Sequence, residues 1–537
     1  MANSGGGHID SKVEVLDSTL REGSQAHGIS FTLQDKLGIT ERLDELGVRF
    51  IEGGWPGSNP KDLDYFRAVK KLSLAHSEVV AFGSTRRKNT PPGRDGGLNR
   101  ILESEVKTAV IFGKSWTLHI EAVLRTSREE NLRMVAETIE YLREHGLEVI
   151  FDAEHFFDGF RENPEYALQV LEAAQEAGAR TLVLCDTNGG TLTQDLRRIF
   201  QLVKARVKAP LGIHCHNDMG LAVANTLEAV GLGAGHIQVT VNGLGERCGN
   251  ADLCVVVPTL VFKMGLNPLE VEDYRERVRL IPALSAYVYE LLNLPANPYQ
   301  PYVGRNAFAH KGGVHIDAML KHPRAYEHID PALVGNTRAT IVSELAGKSA
   351  LIAEGARLGL DLKGREEVVR RVLEEVKRLE AEGYQFENAK ASVHLLLLRE
   401  LGYDTRLFET PRWQVSITQG GEVKAHSWVL VRFKGGESWE EAEGVGPVHA
   451  LDLALRKALL KRFPELESVR LVNYKVTVVD SVEGTGSKVR VFIEFEDNGE
   501  RWATTSASPN IIWASADALT QGYTYRLLLS KLKGKAG

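Results

Sequence analysis

Two histidines one residue apart, His214 and His216 in "GIHCHND", carry the first chemical signal in this chain of 537 residues. Alternate side chains of a β-strand share a face, so both imidazoles would project the same way and could grip one metal ion. Two hydrogen-bonded core histidines would give the same spacing. Other polar strings bear on the choice. "VEVLDSTLREGSQ" brings Arg21 and Glu22, "LEVIFDAEH" ends on acids and a histidine, and "TLVLCDTNGG" and "IQVTVNGLGERCGN" end on polar groups. Each closes a nearly continuous apolar run. Glu22, His214 and His216 would give one carboxylate and two imidazoles to a single ion, with positions left for water and substrate. A 2-oxo acid could fill two of those positions with its carbonyl and a carboxylate oxygen, and the ion would polarise the carbonyl. Arg21 could stabilise negative charge on that oxygen. It could equally close a salt bridge across the site.

Those strings need elements that bring them together. From Val13 to about Arg247, roughly eight apolar runs alternate with amphipathic helical stretches over about 240 residues. Continuous apolar runs are what strands buried on both faces require. "TLQDKLGITERLDELGV" opens with Thr32 and Asp35 in capping-box positions, repeats apolar residues at Leu37, Leu43 and Leu46, and stops at Gly47. The alternation predicts an α/β fold, a (β/α)8 TIM barrel, whose strand ends converge on one mouth. A doubly wound open sheet is the alternative, although no G-x-G-x-x-G follows the first strand.

Past residue 270 the pattern changes. "IPALSAYVYELLN" reads as a helix, "LPANPYQPYVG" as a proline-broken connection, and "REEVVRRVLEEVKRLEAEG" and "ENAKASVHLLLLRELG" as helices. From about residue 410, alternating strands ("WQVSITQ", "HSWVLVRF", "NYKVTVVDS", "KVRVFIEFED") surround two helices, the pattern of a separate α+β domain. The organisation expected is a disordered tail at 1–11, a TIM-barrel catalytic domain at 12–275, linker subdomains at 276–405 and a C-terminal domain at 406–537.

Composition excludes some classes. The net charge of −6 offers no basic surface for nucleic acid. No apolar run reaches the ~18 residues that read as a membrane span, and "MANSGGGHID" has no apolar core to act as a signal peptide. Cys185, Cys215, Cys248 and Cys254 fall in or beside apolar runs, so all are expected to be buried and reduced, in a cytoplasmic protein.

"LDSTLREGSQ", "HCHND" and "NGLGERCGN" resemble the signatures of the pyruvate-carboxylase-like, metal-dependent barrels that include isopropylmalate, homocitrate and citramalate synthases. "FIEGGWPGSNPKD", "AFGSTRR", "FDAEHFFDG" and "PNIIWASADAL" resemble the bacterial (R)-citramalate synthases among them. The resemblance implies an acyltransferase joining acetyl-CoA to pyruvate, with 2-isopropylmalate or homocitrate synthesis as the alternative on another 2-oxo acid. It implies a divalent ion (Mn, Mg, Zn or Co) on Glu22, His214 and His216, with Asn250 as a further ligand or support. It gives Thr187 the pyruvate carboxylate, Arg21 the developing alkoxide, Gln25 a substrate contact, and Glu154 the acetyl-CoA end or a water.

In "FAHKGGVHIDAMLKHPRAYEHI" it implies that His315 and Tyr326 assist proton removal from the acetyl methyl, reaching into a neighbouring subunit's barrel. A structural role for His315 is the alternative. "GVGPVHALDLALRKAL" resembles the dimeric regulatory domain of isopropylmalate synthases, which implies a homodimer with isoleucine as feedback inhibitor in isoleucine biosynthesis. "TRRK" at 85–88 is expected to be a solvated loop, with contact to CoA phosphates the alternative. Two departures stand out: Glu22 where many relatives have Asp, and Asp152 where some citramalate synthases carry an aromatic.

Overall fold

The computed structural model describes residues 12–310, 312–340, 348–362, 364–386, 388–420, 422–479 and 484–533, so the tail expected at 1–11 lies outside the described residues. Two compact units emerge. One comprises the described residues up to Phe308 with Asp330–Thr337, the other Ala309–Ile329 and the residues from Arg338 onward.

The first unit is a closed barrel. Strands β1 (Glu14–Asp17), β2 (Phe50–Gly54), β3 (Glu78–Ser84), β4 (Thr108–Lys114), β5 (Glu148–Glu154), β6 (Thr181–Asp186), β7 (Leu211–Cys215) and β8 (His236–Val239) follow one another in chain order. β1 closes on β8 in parallel, from Glu14 opposite His236 to Asp17 opposite Val239. Closure excludes the open sheet. The apolar runs do what double-sided burial demands: β2, β6, β7 and β8 are buried at every residue. Leu16, Phe50, Val80, Val110, Ile150 and Val183 form a buried interior cluster. Each such side chain contributes about 1.5 to 3 kcal/mol by leaving water.

Helices follow the strands, and their ends are fixed locally. In the helix Leu33–Leu46, the Thr32 hydroxyl accepts from the Asp35 amide at 3.2 Å, and the Asp35 carboxylate accepts from the Thr32 amide at 2.8 Å. Gly47 ends it at φ +93°, in the left-handed region that glycine enters without strain. This helix anchors the far end of the loop that carries Arg21 and Glu22.

Two expectations fail here. Cys248 is exposed because it sits in the loop beyond β8, although Cys185, Cys215 and Cys254 are buried. Cys254 lies on the helix Leu253–Thr259. "TRRK" is only half solvated: Arg87 and Lys88 are exposed, but Arg86 is buried. Its guanidinium donates to Glu130 at 2.8 Å and to Glu137 at 2.6 Å, tying the end of β3 to the helix Arg128–Glu144.

The second unit holds the helices Glu366–Ala381 and Lys390–Glu400 around Val369, Val372, Val376, Val393 and Leu397. Beyond them the chain runs strand, strand, strand, helix, twice. The strands Phe408–Gly420, Glu422–Phe433 and Gly436–Gly444 form one antiparallel sheet, followed by the helix Pro447–Leu460. The strands Arg470–Val478, Val489–Asp497 and Glu500–Ser508 form the other, followed by the helix Ile511–Lys533. Val491, Ile493 and Phe495 alternate into a core with Leu455, Leu459, Leu519 and Tyr523. No helix among the described residues is long and apolar enough to cross a membrane.

Candidate active site

The C-terminal ends of the strands surround a cavity of about 230 Å3. Arg21, Glu22 and Gln25 reach it from beyond β1, Asp152 and Glu154 from β5, Thr187 from beyond β6, and Glu246 and Arg247 from beyond β8. His214, on β7, and His216, just past its end, face it together, their ring centres 5.0 Å apart. Strand alternation puts the intervening Cys215 on the other side, fully buried. Trp55, Phe82 and Phe112 form an aromatic wall, with Phe82 and Phe112 stacked at 5.2 Å and Trp55 edge-on to both.

Arg21 is held by two acids and a ring. Its guanidinium pairs with Glu22, donates from Nε to Glu52 at 2.7 Å, and lies 3.7 Å from the centre of the Phe82 ring. The Nε2 of His216 stands 3.7 Å from Glu22 Oε1. Gln238 on β8 links the rest: its Oε1 lies 2.8 Å from His214 Nδ1, and its Nε2 donates to Asp152 at 2.8 Å. Because the amide nitrogen is committed to Asp152, the amide oxygen must accept from His214, which puts the proton on Nδ1 and leaves the Nε2 lone pair free.

Burial opposes the charge on Glu22, but the Arg21 guanidinium and the two imidazoles outweigh it and hold the carboxyl at about 2. Burial, reinforced by the neighbouring imidazole, pushes His214 down to about 3, and burial lowers His216 as well. The site at neutral pH therefore presents an ionised carboxylate and two neutral imidazoles. Burial, then the nearby Glu52, drives the Asp152 carboxyl well up.

The loop after β8 supplies a further oxygen. Asn250 donates from Nδ2 to the Leu244 carbonyl at 3.1 Å, while its buried Oδ1 has no hydrogen-bond partner among the described residues. Gly245, at φ +154°, makes this possible, since a Cβ there would lie 2.0 Å from Asn250 Nδ2. Ionised carboxylate, neutral imidazoles and an unpaired amide oxygen are the donor types a divalent ion requires. They are not gathered into a closed cage: among the described residues no three His, Cys, Asp or Glu side chains stand close enough together to hold an ion. Glu22 is turned into Arg21.

Thr187 and Glu154 are each tied in place. The Thr187 hydroxyl accepts from the His155 amide at 2.8 Å, and its carbonyl accepts from Arg247 at 2.7 Å. Arg247 also grips Asp218 with two bonds, at 2.7 and 2.8 Å. Glu154 pairs with Lys114. The cavity thus gathers Arg21, Glu22, Gln25, Glu154, Thr187, His214 and His216, seven of the residues singled out in the sequence. His315 and Tyr326 belong to the second unit, where their rings stack at 4.1 Å and both are exposed. Sequence reasoning missed Glu52, Gln238 and the Arg247–Asp218 fork. Glu52 and Gln238 had a signal, a polar residue inside an apolar run.

Residues 12–280 match the HMGL-like family model, 302–384 the homocitrate synthase post-HMGL domain-like model, and 387–527 the LeuA allosteric (dimerisation) domain. The chain is 48% identical over 520 residues to the (R)-citramalate synthase of Sulfolobus acidocaldarius, covering 97% of this chain and 98% of that one. It is 45% identical over 520 residues to the (R)-citramalate synthase of Geobacter sulfurreducens, with 96% and 98% covered. Against that of Aquifex aeolicus it is 45% identical over 527 residues, with 97% and 99% covered. With all three modules in order and such identity along nearly the whole length, the chain belongs to the (R)-citramalate synthase family.

Proposed function

We propose that this chain condenses acetyl-CoA with pyruvate and water to give (R)-citramalate and free CoA. The observation that carries the reading is one small cavity in which Arg21, Thr187, Glu22 and both histidines meet an aromatic wall. A three-carbon 2-oxo acid suits that volume, with its methyl group against Phe82 and Phe112 and its carboxylate at the Thr187 hydroxyl. Glu22, His214 and His216 would hold a divalent ion (Mn, Mg, Zn or Co), with Asn250 Oδ1 completing or supporting the set. When bound, that ion supplies Lewis-acid polarisation of the ketone. Arg21 faces the oxygen that becomes an alkoxide and steadies its charge. Glu154 orients the acetyl group or the water that cleaves the thioester.

The acetyl methyl must lose a proton before its carbon can bond to C2 of pyruvate, and a thioester α-proton is too weakly acidic to leave unaided. His315, stacked on Tyr326, is the base we assign, supplied in a homodimer to the partner's cavity. The match of residues 387–527 to an allosteric, dimerising domain supports both the dimer and feedback control, with isoleucine as the effector. Cytoplasmic isoleucine biosynthesis is the setting. The test is to incubate the protein with acetyl-CoA, labelled pyruvate and a divalent ion, with and without isoleucine, and resolve the product on a chiral column. Labelled (R)-citramalate, reduced by isoleucine, is expected. A different product would refute the substrate, and inhibition by leucine alone would refute the effector.

A further inference from the structure

Thr187, beyond β6, is gripped from both sides by residues whose backbones lie in the left-handed region. His155, at φ +56°, donates its amide to the Thr187 hydroxyl at 2.8 Å. Arg247, at φ +55°, donates from Nη2 to the Thr187 carbonyl at 2.7 Å. A residue with a Cβ is crowded in that region. The next positions are tied too. Asn188 donates to Asp158 at 2.9 Å, and a Cβ on Gly189 would lie 2.5 Å from Asp218 Oδ2.

Arg247 is the unusual member. Its side chain is exposed, and an exposed ion pair adds little to stability. Yet three bonds fix its guanidinium, two to Asp218 at 2.7 and 2.8 Å and the one to Thr187. Ordering a long side chain on a left-handed backbone works against folding, so stability does not account for it. Geometry does. One planar guanidinium joins the loops beyond β6, β7 and β8, a task the single ammonium of a lysine cannot share out in the same way. Because the Thr187 hydroxyl accepts from the His155 amide, its own proton is free to be donated into the cavity that Thr187 lines. Releasing the Thr187 carbonyl would let that proton drift from its target.

Resting on the reading of Thr187 as the seat of the pyruvate carboxylate, we propose that Arg247, locked by Asp218, is a positioning residue that holds the Thr187 hydroxyl against that carboxylate.

Steady-state kinetics on Arg247→Ala, Arg247→Lys and Asp218→Asn, each alone and combined with Thr187→Val, test this. With Thr187 present, both Arg247 variants should raise KM for pyruvate about tenfold or more, while kcat falls less than about threefold and KM for acetyl-CoA stays within about twofold. Asp218→Asn weakens the fork and leaves the Thr187 bond in place, so it should move KM for pyruvate the same way by less. Combined with Thr187→Val, the Arg247 variants should add less than about twofold, because the hydroxyl they position is gone. A further tenfold rise in that background would mean that Arg247 meets pyruvate directly and would overturn the proposal. So would equal rises for both substrates, or unchanged KM for pyruvate in both Arg247 variants. If Arg247→Ala melts early, Arg247→Lys and Asp218→Asn read the same constant. Failure of the underlying reading looks different: Thr187→Val alone would leave KM for pyruvate untouched.

Discussion

The nitrogens of the two central imidazoles are not equivalent. The Nδ1–H of His214 is pinned by Gln238, so its Nε2 is the available donor, while His216 Nε2 faces Glu22. If these are ion ligands, His214→Ala or His216→Ala should lower turnover by about 10³-fold or more, since the loss of Lewis-acid help is worth several kcal/mol. Melting temperature should hardly move, and calorimetry should find Mn2+ binding gone. Full turnover of His214→Ala in chelated buffer would return both residues to a structural role. Gln238 would touch such an ion only through His214, so Gln238→Ala should act on affinity. About 10- to 100-fold weaker Mn2+ binding is expected from losing such an orienting partner, with the fold intact. Unaltered Mn2+ affinity would show that the Gln238–Asp152 link serves packing alone.

At the scale of elements, the helix Lys348–Arg357 is fixed in the second unit by one buried acid. Glu354 accepts from Arg357 at 2.8 Å and Lys390 at 2.9 Å, and stands 3.3 Å from His394 Nε2. Burial opposes its charge, but His394 and Lys390 outweigh burial and bring the carboxyl from an ordinary 4.5 to about 2. A carboxyl with a lower pKa when folded binds fewer protons in the folded state. Its contribution, about 3 kcal/mol, is therefore complete above about pH 4.5 and is lost as pH falls towards 2. Glu354→Gln should cost about 3 kcal/mol in urea unfolding of the second unit at pH 6, and much less near pH 2.5. Equal losses at both pH values would assign the effect to shape rather than charge.

Elements were legible in the sequence where burial imposed a period. The eight barrel strands, buried on both faces, and the capped helix at Thr32 announced themselves. The strand Gly436–Gly444 did not, because "GESWEEAEG" carries four glutamates in nine residues, and only Glu440 is fully buried. With that strand and Glu500–Ser508 unread, the repeat of three strands and a helix went unseen. The site was legible where polar residues closed apolar runs. Arg86, Glu52 and Gln238 were less so, since the partners that bury a charge or an amide come from distant parts of the chain.

At the level of the whole molecule, the proposed base and the proposed cavity belong to different units. His315 and Tyr326 sit outside the barrel unit, and the reading assigns them to a partner's cavity. Mixing inactive His315→Ala chains with inactive His216→Ala chains, after subunit exchange, should restore up to about half of wild-type activity per mixed dimer. One cavity then carries both defects and the other neither. No rescue, with exchange shown independently, would confine the base to its own chain. The central claim, condensation onto pyruvate, is reached most directly by thiol-detected CoA release from acetyl-CoA. Pyruvate, 2-oxoisovalerate and 2-oxoglutarate would be compared at a fixed concentration of divalent ion. A cavity of about 230 Å3 walled by Phe82 and Phe112 predicts that kcat/KM for pyruvate exceeds the other two by about 10²-fold or more. Faster release with 2-oxoisovalerate or 2-oxoglutarate, or none with pyruvate, would contradict it.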